Sequence, residues 1–255
     1  MSDVGLAGRA GELRLGRTPF VLATVVRAER PTSAKPGDQA LVLPDGTVEG
    51  FVGGVCAEST MRLESLRMLR DGESGLLRIT PGGGGGDAPP EPGLRIVENH
   101  CLSGGSLEIF LESVLPAPLV AVLGDAPVAR ALRRVGAALD YDVRPIAAPA
   151  GALPADAAAV VVASHGRDEA AVLTAALRAG VPYVALVASR RRAAAVLGGL
   201  DVDEKQRRRV HAPAGLDIGA RTPAEIALAI FAEFRLLTGT SRSGDGEHPR
   251  APEAP

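Results

Sequence analysis

The sequence predicts an α/β protein in two parts, a mixed α/β domain followed by a doubly wound parallel-sheet domain. Three observations lead there. From residue 119 onward, short apolar runs alternate with helix-length stretches, the order that right-handed βαβ crossovers and a parallel sheet require. Before residue 116 the apolar runs mostly follow one another with turn residues between them, and one helical stretch intervenes. Between the two patterns stands Pro116-Ala117-Pro118, whose fixed φ angles make a stiff spacer.

The first part, residues 1–115, opens its strand set with FVLATVVR, Phe20 to Arg27, a β-branched run suited to a buried strand. Gln39 to Leu43 is a short strand stopped by the turn Pro44-Asp45-Gly46, and Val48 to Val52 is its expected hairpin partner. A helix is expected from about Ala57 to Arg70, with Met61, Leu63, Leu66 and Leu69 as apolar positions. Leu76 to Thr80, Leu94 to Glu98 and Leu107 to Leu111 complete the strands. Gly82 to Gly93, GGGGGDAPPEPG, has no preferred packed conformation and reads as a mobile loop.

In the second part, residues 116–238, strands Leu119 to Leu123, Asp142 to Ile146, Ala158 to Ala163 and Tyr183 to Val187 are expected. Helices Val128 to Leu139, Glu169 to Ala179, Arg190 to Gly198 and Pro223 to Leu237 are expected with them. This is a Rossmann-like layout. Thr222-Pro223-Ala224-Glu225 supplies the last helix with an N-cap, a proline at its first position and a capping-box glutamate. The tail, 239–255, is rich in Ser, Gly, Pro and charge and is expected to be disordered.

Composition narrows the function classes. Hydrophobic residues make up 46% of the 255 positions but aromatic ones only 3%, so the cores must rest on Ala, Val and Leu. A net charge of -2 gives no whole-chain attraction for nucleic acid. Arg190 to Arg192 and Arg207 to Arg209 are local exceptions, read first as a solvated face and second as an anion site. No apolar run is long enough for a membrane span, and the N-terminus shows no signal-peptide h-region. Two cysteines do not make a disulfide framework, so a cytoplasmic protein with reduced cysteines is expected. The G-x-S-x-G, H-E-x-x-H and P-loop patterns do not occur, which argues against hydrolase, zinc-protease and P-loop ATPase classes.

Four segments have chemistry to offer. Gly53-Gly54-Val55-Cys56-Ala57-Glu58 lies between a strand and a helix. Its glycines admit close approach of a bound group, and the helix start favours an anion and a cysteine thiolate. The plainer reading is a glycine-rich turn with Cys56 as a small packed residue and Glu58 as a cap. His100-Cys101-Leu102-Ser103-Gly104-Gly105-Ser106-Leu107-Glu108 repeats the ingredients. If both segments line one cleft, they offer two soft sulfurs, two carboxylates and several backbone donors, suited to a soft metal or a sulfur-bearing cofactor. The spacing is not that of a zinc site. The third segment, Gly124-Asp125-Ala126-Pro127-Val128-Ala129, keeps the first glycine of a dinucleotide turn but has Ala126 where the pyrophosphate needs a glycine. Asp125 adds a negative charge there, so NAD(P) binding is doubtful. The fourth group, Ser164-His165, Ser189-Arg190-Arg191 and His211, sits where parallel strands end. Ser189 is equally an N-cap, and each histidine is more often structural.

These segments together resemble the XdhC/CoxI family, the maturation factors of molybdenum hydroxylases. The resemblance runs through ATVVRAERPTSAKPGDQALVLPDGTVEGFVGG, GGVCAE, SRRRAAAVL and, most specifically, VHAPAGLDIGARTPAEIALAIFAE. HCLSGGSLEIFLE with GDAPVARAL is most similar to the branch associated with carbon monoxide dehydrogenase. The resemblance implies a two-domain chain, commonly dimeric, that acts as a chaperone rather than a turnover enzyme. It would bind molybdenum cofactor, as molybdopterin or its cytosine dinucleotide form, and deliver it to an apo molybdenum hydroxylase. A cysteine desulfurase and a cytidylyltransferase are further implied partners. Cys56 maps to the family's glycine–cysteine–glutamate motif as a cofactor contact, with Gly53, Gly54 and Glu58 beside it. Cys101, Gly104, Gly105, Glu108, Gly124, Ser189 and Arg190 are the remaining candidate contacts, and no catalytic or metal-ligating residue is assigned. An NAD(P)-dependent oxidoreductase and a cofactor-free docking scaffold are the alternatives.

Overall fold

The computed structural model describes residues 3–81, 91–99, 105–147 and 153–239. The chain divides into two compact units, Met1–Pro116 and Ala117–Pro255.

The first unit begins with a helix the sequence does not announce, α1 (Asp3–Leu15). Its glycines depress helix propensity. What holds it is packing, with Leu6, Ala10 and Leu13 set at helical spacing against Phe20 and Leu41. There follow β1 (Phe20–Glu29), β2 (Gln39–Val42), β3 (Val48–Gly50), α2 (Val55–Asp71), β4 (Gly75–Pro81), β5 (Leu94–Asn99) and β6 (Ser106–Val114). The strands form one six-stranded sheet in the order β3-β2-β1-β6-β4-β5. All neighbours are antiparallel except β4 and β5. The expected hairpin of β2 and β3 is present, with Val42 opposite Val48.

Side-chain alternation divides this sheet between its two helices. Val21, Ala23 and Val25 of β1, Ala40 and Val42 of β2, and Leu107, Ile109 and Leu111 of β6 join α2 in one cluster. Phe20 and Leu41 turn the other way and meet α1. The buried stripe of α2 is Ala57, Met61, Ser65 and Met68. Leu63, one of the apolar positions of the expected helix, is 65% exposed. It lies two residues from Met61, about 200° around the helix, so the stripe that buries Met61 turns Leu63 to solvent. Gly54 begins α2, and Gly72, in the left-handed region, ends it by donating its N–H to Met68 O at 2.7 Å. Of the segment 82–93, residues 82–90 lie outside the described ones; Gly93 accepts from Leu76 N at 2.7 Å and so is tied to β4.

The second unit runs β7 (Leu119–Leu123), α3 (Pro127–Ala138), β8 (Asp142–Ile146), β9 (Ala157–Val162), α4 (Glu169–Arg178) and β10 (Tyr183–Leu186). Then come α5 (Arg190–Gly198), α6 (Glu204–Arg207), β11 (Val210–His211) and α7 (Pro223–Gly239). Its sheet is parallel throughout, in the order β11-β10-β9-β7-β8. α3 and α7 cover one face, where Leu132, Phe231 and Phe234 meet Val120 and Val122. α4 covers the other with Leu173 and Leu177, and α5 adds Ala193 to the same cluster, over Val160 and Val162. This is the doubly wound, Rossmann-like arrangement. The strand order reverses around β7, and the crevice between β7 and β9 is the topological switch point.

The expected capping box at α7 is formed. Glu225 N donates to Thr222 Oγ1 at 3.3 Å, and Thr222 N donates to Glu225 Oε2 at 2.8 Å. α7 continues to Gly239, and residues 240–255 lie outside the described ones. Among the described residues no helix is long and apolar enough to cross a membrane.

Candidate functional site

In the first unit three segments meet at the start of α2. Gly53 has φ +135°, and a Cβ there would stand 3.3 Å from both Ala57 Cβ and Leu107 Cδ1 and 3.7 Å from Ala34 Cβ. A side chain there is thus strained by conformation and crowded by its neighbours. The contact to Leu107 brings the beginning of β6 beside the Gly53-Gly54 turn, and that to Ala34 adds the 30–35 loop. Gly105 lies directly against the carbonyls of Glu29 and Pro31, on the same loop's approach. A Cβ at Gly54 would meet nothing within 4 Å, so the backbone there is open to an incoming group. Cys56 is half-buried in the first turn of α2, and its carbonyl accepts from Thr60 Oγ1 at 3.1 Å. Glu58 follows in the same turn, its N–H donating to Gly54 O at 3.0 Å.

Two sequence expectations are corrected here. Cys56 is disulfide-bonded, not a reduced thiol. Pairing is a tertiary event that a sparse cysteine count does not foresee. Glu108 does not share the side of the sheet that carries Cys56. Its neighbours Leu107 and Ile109 face α2, so Glu108 points to the opposite face. There Arg78 Nε, opposite it on β4, donates to Glu108 Oε1 at 3.0 Å. Nearby, the Ser106 hydroxyl donates to Glu29 Oε2 at 2.7 Å and Arg27 pairs with Glu29 at 2.7 Å, which together hold the Glu29 carboxyl below its ordinary range. Cys101 and Gly104 lie outside the described residues. The 30–35 loop is the contributor that residue-type reasoning overlooks, because Ala34 offers no chemistry and acts by packing.

In the second unit the expected candidates gather at the carboxyl ends of the strands. Gly124 has φ +110°, and a Cβ there would stand 2.4 Å from Ala163 O. The glycine therefore serves the close approach of the first βα turn to the end of β9. Asp125 O accepts from Arg130 Nη1 at 2.6 Å, which closes the turn from the helix side. A cleft of about 450 Å³ at the switch point is lined by Gly124, Asp125, Ser164, His165, Arg167 and Asp168.

A larger cleft, about 750 Å³, lies between the loop after β10 and the loop after β11. Ser189, Arg190, Arg192 and His165 line it on one side, and Leu216, Asp217 and Ile218 on the other. Ser189 is the N-cap of α5, its Oγ accepting from Arg192 N at 3.4 Å. His165 and Asp168 both hold left-handed backbone, at φ +54° and +55°, strain that the surrounding contacts must hold in place. Glu169 supplies those contacts. Only 4% exposed, it accepts from Gly166 N at 2.8 Å, from the Ser164 hydroxyl at 3.3 Å and from the Arg192 guanidinium. Glu169 carries no motif, and only its burial singles it out.

Arg207, Arg208, Arg209 and His211 have structural partners. Arg207 and Arg208 pair with Glu204, and Arg209 Nη2 donates to Val181 O at 2.8 Å. His211 Nδ1 is 3.3 Å from Glu233 Oε1 and its ring stacks on Tyr183. The Tyr183 hydroxyl donates to Glu233 Oε2 at 2.6 Å, and burial, with that bond second, pushes its pKa well above the ordinary tyrosine value. Gly215 N donates to the same oxygen at 2.9 Å, so this network holds the loop after β11 against α7.

Comparison with known proteins gives matches in both units. Residues 13–80 match the model of the XdhC and CoxI family, and residues 120–234 match the model described as the XdhC Rossmann domain. The uncharacterized protein YqeB of Escherichia coli (strain K12) is 27% identical over 263 aligned residues, covering 92% of this chain and 46% of that protein. The chain thus spans about half the length of the curated relative it matches. A solved structure titled as a xanthine dehydrogenase from Bacillus halodurans is 16% identical, with a TM-score of 0.43 over 94% of this chain and 96% of that one.

Proposed function

We propose that this chain, which belongs to the XdhC and CoxI family, is a chaperone that binds molybdenum cofactor and hands it to an apo molybdenum hydroxylase. Its client is of the xanthine- or carbon-monoxide-dehydrogenase type. The observation that carries the reading is the convergence at the start of α2, where Gly53, Ala34 and Leu107 pack together and leave the Gly54 backbone open.

The residues present fit such a group. The first turn of a 17-residue helix has N–H donors without helical partners, suited to the anionic phosphate of the cofactor. Cys56 stands in that turn, where the helix favours a thiolate and hence a soft sulfur contact. The bound group would supply the molybdenum and dithiolene chemistry of the client; this chain's part is to hold and release it. Because Cys56 is disulfide-bonded, a thiolate contact requires a dithiol reductant to open that bond first. A cysteine desulfurase and a cytidylyltransferase are the proposed suppliers and modifiers of the cargo, and the working form is proposed to be a homodimer.

An NAD(P)-dependent oxidoreductase is disfavoured, because the first βα turn spends its glycine on Ala163 and presents Asp125. The test is transfer. Chain loaded with cofactor under reducing conditions should restore activity to an apo hydroxylase faster than free cofactor does. Equal rates would remove the handover role.

A further inference from the structure

We infer that the second unit carries a nucleoside 5′-phosphate site, placed between the loops that follow β10 and β11 rather than at the first βα turn. The inference concerns this unit alone and does not rest on the molybdenum reading.

The first turn is unsuited to a phosphate. Its glycine is packed against Ala163, and the smaller cleft beside it is lined by two carboxylates, Asp125 and Asp168, against one guanidinium, Arg167. The larger cleft has the opposite character on its β10 side, where Arg190 and Arg192 stand. Its volume of about 750 Å³ lies within the range of small-molecule sites.

Arg192 is held in advance of any ligand. The buried Glu169 carboxylate fixes one edge of its guanidinium, and the Gly166 amide and Ser164 hydroxyl fix the carboxylate in turn. A guanidinium has five donors, so Arg192, which lines the cleft, keeps donors beyond its bond to Glu169 and can bind phosphate oxygens without the cost of ordering a mobile side chain. The facing wall is apolar, made by Leu216, Ile218 and Ile226. Ile218 is 52% exposed, a large hydrophobic side chain at the edge of a cavity, and the flat face of a base would cover it. Asp217, between Leu216 and Ile218, adds a carboxylate acceptor of the kind that binds ribose hydroxyls. Cationic side, apolar wall and hydroxyl acceptor together describe phosphate, base and sugar.

The experiment is calorimetric titration of the full chain with cytidine 5′-monophosphate, adenosine 5′-monophosphate, cytidine and inorganic phosphate. At least one nucleotide should bind at least about tenfold more tightly than phosphate or cytidine alone, since each of those fills only part of the cleft. Arg190→Gln, at an exposed position, should weaken nucleotide binding about tenfold. Asp217→Asn should weaken the nucleotide and leave phosphate unchanged. Binding by neither nucleotide, phosphate binding as tight as either nucleotide, or an Arg190→Gln variant equal to wild type would each overturn the inference. Circular dichroism of both variants checks that the fold is intact.

Discussion

The Arg192 guanidinium on α5 is bonded to the carboxylate of Glu169 on α4, and the same carboxylate oxygen accepts the Gly166 amide at 2.8 Å. Two helix starts and the strained loop between β9 and α4 are therefore fastened at one buried atom. Removing the carboxylate leaves the Gly166 amide and the Arg192 cation without this acceptor, while the Ser164 hydroxyl keeps Arg167 O at 2.7 Å. Glu169→Ala should destabilise the second unit by about 2–3 kcal/mol, read from its chemical denaturation midpoint. Glu169→Gln should cost less, because the amide oxygen still accepts. Equal midpoints for all three proteins would show that the cluster contributes nothing.

Gly124 offers a second test. Its φ of +110° and the 2.4 Å that would separate a Cβ from Ala163 O both exclude a side chain. Gly124→Ala should cost about 2 kcal/mol or more, visible as a melting temperature several degrees lower, with or without nucleotide present. A variant as stable as wild type would mean that the turn moves freely away from β9.

Tyr183 makes stability depend on alkaline pH. Its ordinary value is 10.0, and burial, followed by the bond to Glu233, raises it in the folded protein. Above pH 10 the unfolded chain therefore binds fewer protons than the folded one at this residue, and stability falls as pH rises. The contribution is complete below the ordinary value and is lost progressively above it. Tyr183→Phe should flatten the decline between about pH 10 and pH 11, in denaturation experiments at fixed ionic strength. An unchanged slope would contradict the burial argument.

Thr222 caps the helix that closes the sheet. Thr222→Ala removes the acceptor for Glu225 N and should cost about 1 kcal/mol, with Thr222→Ser recovering most of it. Thermal denaturation of the pair against wild type measures both. Recovery by serine distinguishes a lost hydrogen bond from lost packing of the threonine methyl.

Where periodicity is strong, the sequence and the structure agree to the residue, as for β7 at Leu119–Leu123, β8 at Asp142–Ile146 and α5 at Arg190–Gly198. The elements that escape are those whose cause lies elsewhere in the chain. α1 is glycine-containing and forms on Phe20 and Leu41, and β11 is two residues long and exists through its pairing with β10. The opposition of Glu108 to the α2 face was present in the alternation of Leu107, Glu108 and Ile109, but only the burial of Leu107 says which face is which. Gly124 belongs to an incomplete dinucleotide pattern, and its need for glycine comes from Ala163, almost forty positions away. The disulfide at Cys56 and the burial of Glu169 have no local signal at all.

The start of α2 is the proposed seat of the molybdenum cofactor. Titration of the purified full chain with that cofactor, wild type against Cys56→Ala and each with and without a dithiol reductant, tests it most directly, by fluorescence and filtration. Reduced wild type is expected to bind tightly, and the oxidised form and the Cys56→Ala variant are each expected to bind at least about tenfold more weakly than reduced wild type. Binding under reducing conditions that is equal in wild type and Cys56→Ala, or absent from both, would contradict it.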